Sequence, residues 1–300
     1  MEKFKSGFVS MIGRTNVGKS TLLNALVGEK VAIMVNKPQT TRTAIKAIVN
    51  RNHSQIIFID TPGIHKPRTK LGEVMIETAF GTITDVDVIL FLIEATSIEI
   101  GKGDQIILDK LKQTNKKVIL VINKIDLVPK ENLLALIKTY SQEYSFASVV
   151  PLSAIKTDGT EILLKEIEKL LPEGPAYYEE DEYTDQTWRQ LTEEIIREKL
   201  LNLLDQEVPH GIYVEVEKME ETETKMGEPI YQIESTIYCL RKSHKGIIIG
   251  KNGAMLKRIG TWSRKELEKM LDCKVNLKLW VKVKEDWQDS STIVKKFKNN

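Results

Sequence analysis

Cysteine is almost missing from this chain: its 300 residues hold two, Cys239 and Cys273, with no metal-type spacing between them. That excludes a disulfide framework and a cysteine-ligated zinc module, and leads us to expect free thiols in a reducing, cytoplasmic compartment. No apolar signal segment stands at Met1-Glu2-Lys3-Phe4-Lys5, so no secretory leader is expected. Long hydrophobic runs are lacking too. Val86-Asp87-Val88-Ile89-Leu90-Phe91-Leu92-Ile93 is strongly apolar but far too short to cross a bilayer, and it suits a central strand of a parallel sheet. Neither an internal repeat nor a low-complexity tract occurs. What is there, 41% hydrophobic and 29% charged residues, fits a globular chain, and the length suits two domains.

The net charge of +2 conceals an asymmetry. From Arg241 onward 16 Lys/Arg face 6 Asp/Glu, a net +10, whereas residues 1–240 hold 28 against 36, a net −8. A basic C-terminal quarter on an acidic body suits a polyanionic partner, either nucleic acid or an anionic membrane face.

The chain is organised around Gly13-Arg14-Thr15-Asn16-Val17-Gly18-Lys19-Ser20. An apolar strand, Phe8 to Ile12, precedes it and a helix from Thr21 follows it, the setting that makes G-x-x-x-x-G-K-S a phosphate-binding loop. Its glycines let successive amides point inward as an anion nest, and the helix adds its positive dipole end. Lys19 would reach the β- and γ-phosphates and the Ser20 hydroxyl would ligate Mg²⁺.

Downstream, a polar segment running through Asn36-Lys37-Pro38-Gln39-Thr40-Thr41-Arg42-Thr43 lacks periodicity and reads as a mobile loop. Two adjacent strands, 44–50 and 55–59, end in Asp60-Thr61-Pro62-Gly63. There the aspartate can hold Mg²⁺ through water and the Gly63 amide can sense the γ-phosphate. A polar connection from Lys66 and a helix lead to the Val86–Ile93 strand. After a helix over 103–113, the strand Lys117–Ile122 delivers Asn123-Lys124-Ile125-Asp126 at its carboxyl end, where open parallel sheets bind ligands. The Asp126 carboxylate suits the two donors of guanine, N1–H and the 2-amino group, which adenine lacks. Asn123 would brace the loop and Lys124 would lie along the base. A final strand reaches Ser153-Ala154, whose amides could contact the guanine carbonyl. Alternating strands and helices give an α/β, doubly wound, mostly parallel sheet over residues 1–171.

Residues 172–186 are acidic and interrupted by prolines, which marks a linker. From 187 to 284 the order helix, strand, strand, helix, helix, strand is expected, an α+β domain. Leu191, Ile195, Leu200 and Leu204 lie near one face of its first helix. Ile249-Gly250-Lys251-Asn252-Gly253 stands between two helical segments. Small residues there let a single-stranded backbone approach, Lys251, Lys257 and Arg258 neutralise phosphate, and Ile248 and Ile249 would face bases. Trp188, Trp262 and Trp280 raise the prospect of base stacking, but the patterned elements holding Trp262 and Trp280 place those two in the core. A basic tail, 285–300, ends the chain.

The second half resembles a type II K-homology (KH) RNA-binding domain. Together the halves resemble the Era family of bacterial ribosome-assembly GTPases, and the likeness covers nearly all of the chain. The matching residues run from the Gly13–Ser20 loop through Pro38-Gln39-Thr40-Thr41-Arg42, Asp60–Gly63, Asn123–Asp126 and Ser153-Ala154 to Ile249–Gly253. One departure is Thr15, where the family usually has proline; it removes no ligand. The resemblance implies GTP/GDP and Mg²⁺ at Gly13 to Thr21, Asp60 to Ile64, Asn123, Lys124, Asp126, Ser153 and Ala154, with one of Thr40 and Thr41, taken as Thr41, as the switch threonine on the metal beside Ser20 and Asp60; from the sequence alone the two threonines could equally cap the loop. The same resemblance implies that Lys19, Thr41 and Gly63 carry hydrolysis. It also implies binding near the 3′ end of 16S ribosomal RNA, action in 30S subunit maturation, and a loose association with the cytoplasmic membrane. Nothing demands more than a monomer.

Ras-like GTPases orient the attacking water with a glutamine just after D-x-x-G. Ile64 stands there and cannot, so slow intrinsic hydrolysis is expected, with His65 read as a solvent-exposed loop residue. GTPases resembling this one at Asn16 use the asparagine to bind potassium in the place of an arginine finger; a loop-stabilising hydrogen bond is the alternative. Arg42 is read as an exposed loop arginine rather than a finger. Two other classes are weighed, a nucleotide-switched protein tether and a small-molecule kinase. Salt-independent binding by the second domain would favour the first; the Asp60–Gly63 and Asn123–Asp126 signatures together oppose the second.

Overall fold

The computed structural model describes residues 3–35, 37, 40–64, 67, 69–97, 99–205 and 208–299. Pro38 and Gln39 of the loop motif, His65, and Lys66 at the start of the polar connection lie outside the described residues. The chain divides into two compact units, residues 1–185 with 295–300, and residues 186–294.

In the first unit the elements run β1 (Lys5–Gly13), α1 (Lys19–Val27), β2 (Ile45–Arg51), β3 (Ser54–Asp60), α2 (Lys70–Gly81), β4 (Val88–Glu94), α3 (Lys102–Leu111), β5 (Lys117–Asn123), α4 (Lys130–Glu143), β6 (Ser148–Pro151) and α5 (Thr160–Leu170). The strand order is β2-β3-β1-β4-β5-β6, parallel except for the β2–β3 pair. The Val88–Ile93 run is apolar at every position because both of its faces are covered. Leu90 and Leu92 join Val9, Leu22 and Leu163 in one core layer. Ile89 and Phe91 join Ala79, Ile107 and Leu136 in the other. Register then sets Gly13 opposite Leu92 and Glu94 opposite Asn123, so the strand ends that carry the motifs lie along one margin.

Residues 172–186 differ from the expected linker, because 172–185 are laid along the first unit. Lys5 bridges to Glu173 and Ala47 to Thr184. The Ile48 amide donates to the Tyr183 carbonyl at 3.0 Å. Gln55, buried, accepts at Oε1 from the Tyr177 and Tyr178 amides at 2.6 and 3.0 Å, and its Nε2 donates to the Tyr178 carbonyl at 2.9 Å. Phe8 and Tyr177 rings lie 5.0 Å apart. The cause is the outer margin of β2, whose backbone groups need partners that a proline-broken acidic composition does not announce.

The second unit contains α6 (Trp188–Leu203), β7 (Ile212–Glu223), β8 (Pro229–Cys239), α7 (Lys242–Ile249), α8 (Ala254–Leu271) and β9 (Lys274–Val283), before α9 (Ser291–Asn299) ends the described chain. Its sheet runs β7-β8-β9, antiparallel then parallel. Thr187 and Gln190 close a capping box at the start of α6. Leu191, Ile195, Leu200 and Leu204 are all buried, as a 3.6-residue period requires.

The tryptophans correct the sequence reading. Trp262 and Trp280, expected in the core, are each 41% exposed. Trp280 shares the outward side of β9 with exposed Lys278 and Lys282, and Trp262 shares a helical side with exposed Arg258. The buried indole is Trp287, in the stretch expected as a tail. Its Nε1–H donates to the Gly211 carbonyl at 3.0 Å and its ring lies 4.7 Å from that of Tyr213. A helical turn over 287–289 and α9, with Ile293 and Val294 buried, replace the solvated tail.

Glu193 on α6 gives the unit a pH dependence. Burial pushes its carboxyl up to about 7; the Val216 amide, donating to Oε1 at 2.8 Å, opposes this, and Glu194 and Glu215 reinforce it. A carboxyl raised in the folded state keeps a proton that the unfolded chain releases from about pH 4.5 upward. Its contribution is therefore present at low pH and is lost as pH rises to about 7, a change of roughly 3 kcal/mol. Glu193→Gln, which keeps the acceptor, is expected to flatten the fall in thermal stability between about pH 5 and 8. An unchanged slope would contradict this.

Candidate functional site

At the phosphate end, backbone geometry explains the glycines. Gly18 has φ +96°, and a Cβ there would lie 2.3 Å from Asn123 Nδ2; one on Gly13 would lie 2.5 Å from the Leu92 carbonyl oxygen. The space left by Gly18 lets Asn123 Nδ2 donate to the Val17 carbonyl at 2.9 Å. Lys19, buried, donates from Nζ to the carbonyls of Gly13 and Arg14 at 3.3 and 3.2 Å. Burial lowers its pKa and the charge of Asp60 opposes that. Ser20 Oγ–H donates to Asp60 Oδ2 at 2.9 Å, Thr41 Oγ1–H donates to the same oxygen at 3.1 Å, and the two hydroxyls lie 2.9 Å apart. Burial raises the Asp60 pKa, and Lys19 and the two hydroxyls hold it back. Asp60 Oδ1 is buried and meets no hydrogen-bonding partner among the described residues. Two hydroxyls and a carboxylate with one oxygen uncommitted form a hard, all-oxygen donor set of the kind magnesium takes.

The other end of the same cavity, which measures about 540 Å³, is built by the β5 terminus. Asn123 Oδ1 accepts from the amides of Lys124 and Ala154 at 2.8 and 3.0 Å. Lys124, at φ +65°, donates from Nζ to the Asn16 carbonyl at 2.8 Å and to Glu94 Oε2 at 2.7 Å, which ties this loop to the phosphate loop. Ser153 Oγ–H donates to Asp126 Oδ1 at 2.6 Å, and that bond holds the carboxyl below the usual range.

In the second unit, α7 ends at Gly250 (φ +71°), and Asn252 and Gly253 follow at φ +52° and +77°. A Cβ on Gly250 would lie 2.7 Å from Met255 Cβ, whereas nothing lies within 4 Å of one on Gly253. Lys251, Asn252, Lys257 and Arg258 are exposed. The turn presents backbone and cations without large side chains, which suits a phosphate chain approaching closely.

The family described as "50S ribosome-binding GTPase" matches residues 8–124, and the KH domain matches residues 207–288. GTPase Era of Ruminiclostridium cellulolyticum is 52% identical over 292 residues, 97% of this chain and 96% of that protein. The chain belongs to the Era family of GTPases. GTPase Era of Caldanaerobacter subterraneus subsp. tengcongensis is 53% identical over 293 residues, 98% of this chain and 97% of the relative. Among solved structures, Era in complex with MgGDPNP and nucleotides 1506–1542 of 16S ribosomal RNA is 42% identical, covers 98% of both chains and superposes with a TM-score of 0.94. A variant of Aquifex aeolicus Era bound to GDP.AlF4⁻ is 41% identical, with a TM-score of 0.93 over 98% of this chain and 99% of that one.

Within this Era-family site the expected residues divide. Thr15, Asn16, Gly18, Lys19, Ser20, Thr21, Thr41, Gly63, Asn123, Lys124, Asp126, Ser153 and Ala154 line the cavity. Others act from behind. Arg14 turns away, its guanidinium donating to Asp104 and Ser97 at 3.0 and 3.1 Å. Val17 is core, and the Thr61 hydroxyl donates to the Met11 carbonyl at 2.8 Å. Pro62 is buried, and Ile64 packs beside Ile12 and Phe91 in the core layer. The amides of Ser153 and Ala154, expected at the guanine carbonyl, already donate to Asp158 and Asn123. Arg42 is 5% exposed, contrary to its reading as an exposed arginine. Ile248, expected at the bases, is fully buried, and Ile249 packs partly buried on the same core; exposed Ile247 takes the outward position. A helix sends adjacent residues about 100° apart, which the run of three isoleucines hid. Sequence reasoning missed Glu94, Ile33, Met34, Val35, Leu127 and Ile155. Glu94 carries a signal in retrospect, as a lone carboxylate ending an apolar strand.

Proposed function

We propose that this chain binds GTP and Mg²⁺ in the first unit, hydrolyses GTP slowly, and uses nucleotide state to time binding of the 3′ region of 16S ribosomal RNA during 30S subunit maturation. The observation that carries the reading is one cavity lined at one end by Ser20 and Thr41, whose hydroxyls donate to buried Asp60 behind them, and at the other by Asp126. The relative solved with MgGDPNP and the RNA fragment supports it. Residues 1–171 form the GTPase domain in this reading and 187–284 the KH domain.

Ser20, Thr41 and Asp60 would hold the metal. Bound there, Mg²⁺ would offset charge on the β- and γ-phosphates. Lys19 swings its ammonium from the loop carbonyls to the same phosphates, and the Gly63 amide meets the γ-phosphate. Asp126 accepts from guanine while Asn123 and Lys124 keep the two loops joined. Gly250, Lys251, Asn252, Gly253 and Lys257 receive the RNA backbone. The protein works as a monomer on the cytoplasmic side, with loose membrane association.

Ile64 cannot orient water; potassium held by Asn16 would supply the positive charge that an arginine finger gives in other GTPases. Steady-state hydrolysis is expected to be at least about tenfold faster in potassium than in sodium; equal rates would remove the ion from the mechanism. The whole reading is tested by titrating single-stranded RNA copying the 16S 3′ end with GTP analogue, GDP or no nucleotide. Tightest, salt-sensitive binding with the GTP analogue is expected, and no binding in any state would leave only a GTPase.

A further inference from the structure

Lys257 and Arg258 are neighbours in sequence but part company on α8. The ridge 257, 260, 264 faces β9, since a Cβ on Gly260 would lie 3.5 Å from Leu279 Cδ1. The ridge 258, 262, 266 faces the other way, since Glu266 pairs with Lys199 of α6. Along that second side stand Arg258, Trp262, Lys265 and Lys269, all exposed. The Arg258 guanidinium sits over the Trp262 ring, 4.6 Å from its centroid. An arginine seated on an indole is already oriented and weakly hydrated, so little freedom is lost when it grips phosphate. The only carboxylates of α8, Glu266 and Glu268, are engaged with Lys199 and Arg264. Arg258, Lys265 and Lys269 have no ion-pair partner among the described residues. From Arg258 to Lys269 the row extends about 16 Å, the reach of four to five stacked nucleotides at about 3.4 Å each.

We propose that this row is a second RNA contact, separate from the Gly250–Gly253 loop, which holds the phosphate backbone of nucleotides continuing beyond those at the loop. It rests on the RNA reading above and extends it. Continuity favours RNA over other polyanions, because Arg258 opens the row one turn after the glycine turn that the strand would be leaving.

The full chain would be titrated with two single-stranded RNAs copying the 16S 3′ end, a pentamer confined to the loop and a fifteen-nucleotide extension of it. The double variant Lys265→Gln, Lys269→Gln should bind the pentamer within about twofold of wild type, which also shows that the unit is folded. It should bind the longer RNA at least about tenfold more weakly, with its salt slope reduced by about 1.4, two contacts at about 0.7 each. Trp262→Ala should reproduce part of that loss and Trp262→Phe should not. Unchanged binding of the longer RNA by the double variant would overturn the row while leaving the loop reading intact. Equal loss for both RNAs, or loss confined to phosphatidylglycerol vesicles, would overturn it too. A wild-type chain that binds neither RNA would fail the loop reading and the row together.

Discussion

Replacing Asp126 by asparagine is expected to weaken guanine-nucleotide binding by about a thousandfold or more and to restore binding of xanthine nucleotides. Ser153 Oγ–H fixes the carboxylate through Oδ1 at 2.6 Å and keeps it ionised well below neutrality. A carboxylate has lone pairs to spare, so it can still accept from the two donors of guanine. Asparagine keeps one acceptor and sets an N–H₂ against a donor, so one bond is lost and a repulsion replaces it. Xanthine carries a carbonyl at the position of the 2-amino group, which that N–H₂ can meet. Displacement of a fluorescent nucleotide by GTP, XTP and ATP measures the change. Binding of GTP by the variant within about tenfold of wild type would show that Asp126 does not select the base.

The second large effect belongs to Gly253. Its φ of +77° is one that aspartate tolerates better than most residues, and nothing lies within 4 Å of an added Cβ. Gly253→Asp should therefore fold, while setting bulk and negative charge where RNA phosphate must approach. We expect RNA affinity to fall at least about a hundredfold with thermal stability lowered by no more than about 2 kcal/mol. Gly250→Asp is a different experiment, because its Cβ would lie 2.7 Å from Met255 Cβ. That variant should lose stability as well as RNA, so Gly253→Asp is the cleaner probe. Retention of RNA affinity within a few-fold by Gly253→Asp would show that the turn is not where RNA binds.

The readable parts of this molecule are those where backbone geometry leaves few choices. Gly18 cannot carry a side chain beside Asn123, and Val88 to Ile93 must be apolar on both faces, so motif and strand announce themselves. The order of elements in the second unit follows from periodicity in the same way. Harder features depend on a partner distant in sequence. Gln55 is an ordinary polar residue until Tyr177 and Tyr178 donate to it, and Trp287 reads as tail until Gly211 and Tyr213 are beside it. Ile248 and Ile247 differ only in phase around one short helix. The Ala154 amide shows the remaining difficulty: its position follows from the β5–β6 pairing, but its engagement with Asn123 Oδ1 is a matter of side-chain rotamer.

The strip 172–185 along β2 also serves solubility. A bare outermost strand is a template on which a second copy of the chain, or an unfolded neighbour, could add itself and begin a filament. Here the Ile48 amide and the Ala47 bridge are occupied by the chain's own Tyr183 and Thr184. Carboxylates at Glu179, Glu180, Asp181 and Glu182 accompany that covering, so an approaching strand meets charge instead of open backbone. The acidic, proline-broken stretch thus acts as a guard against self-association.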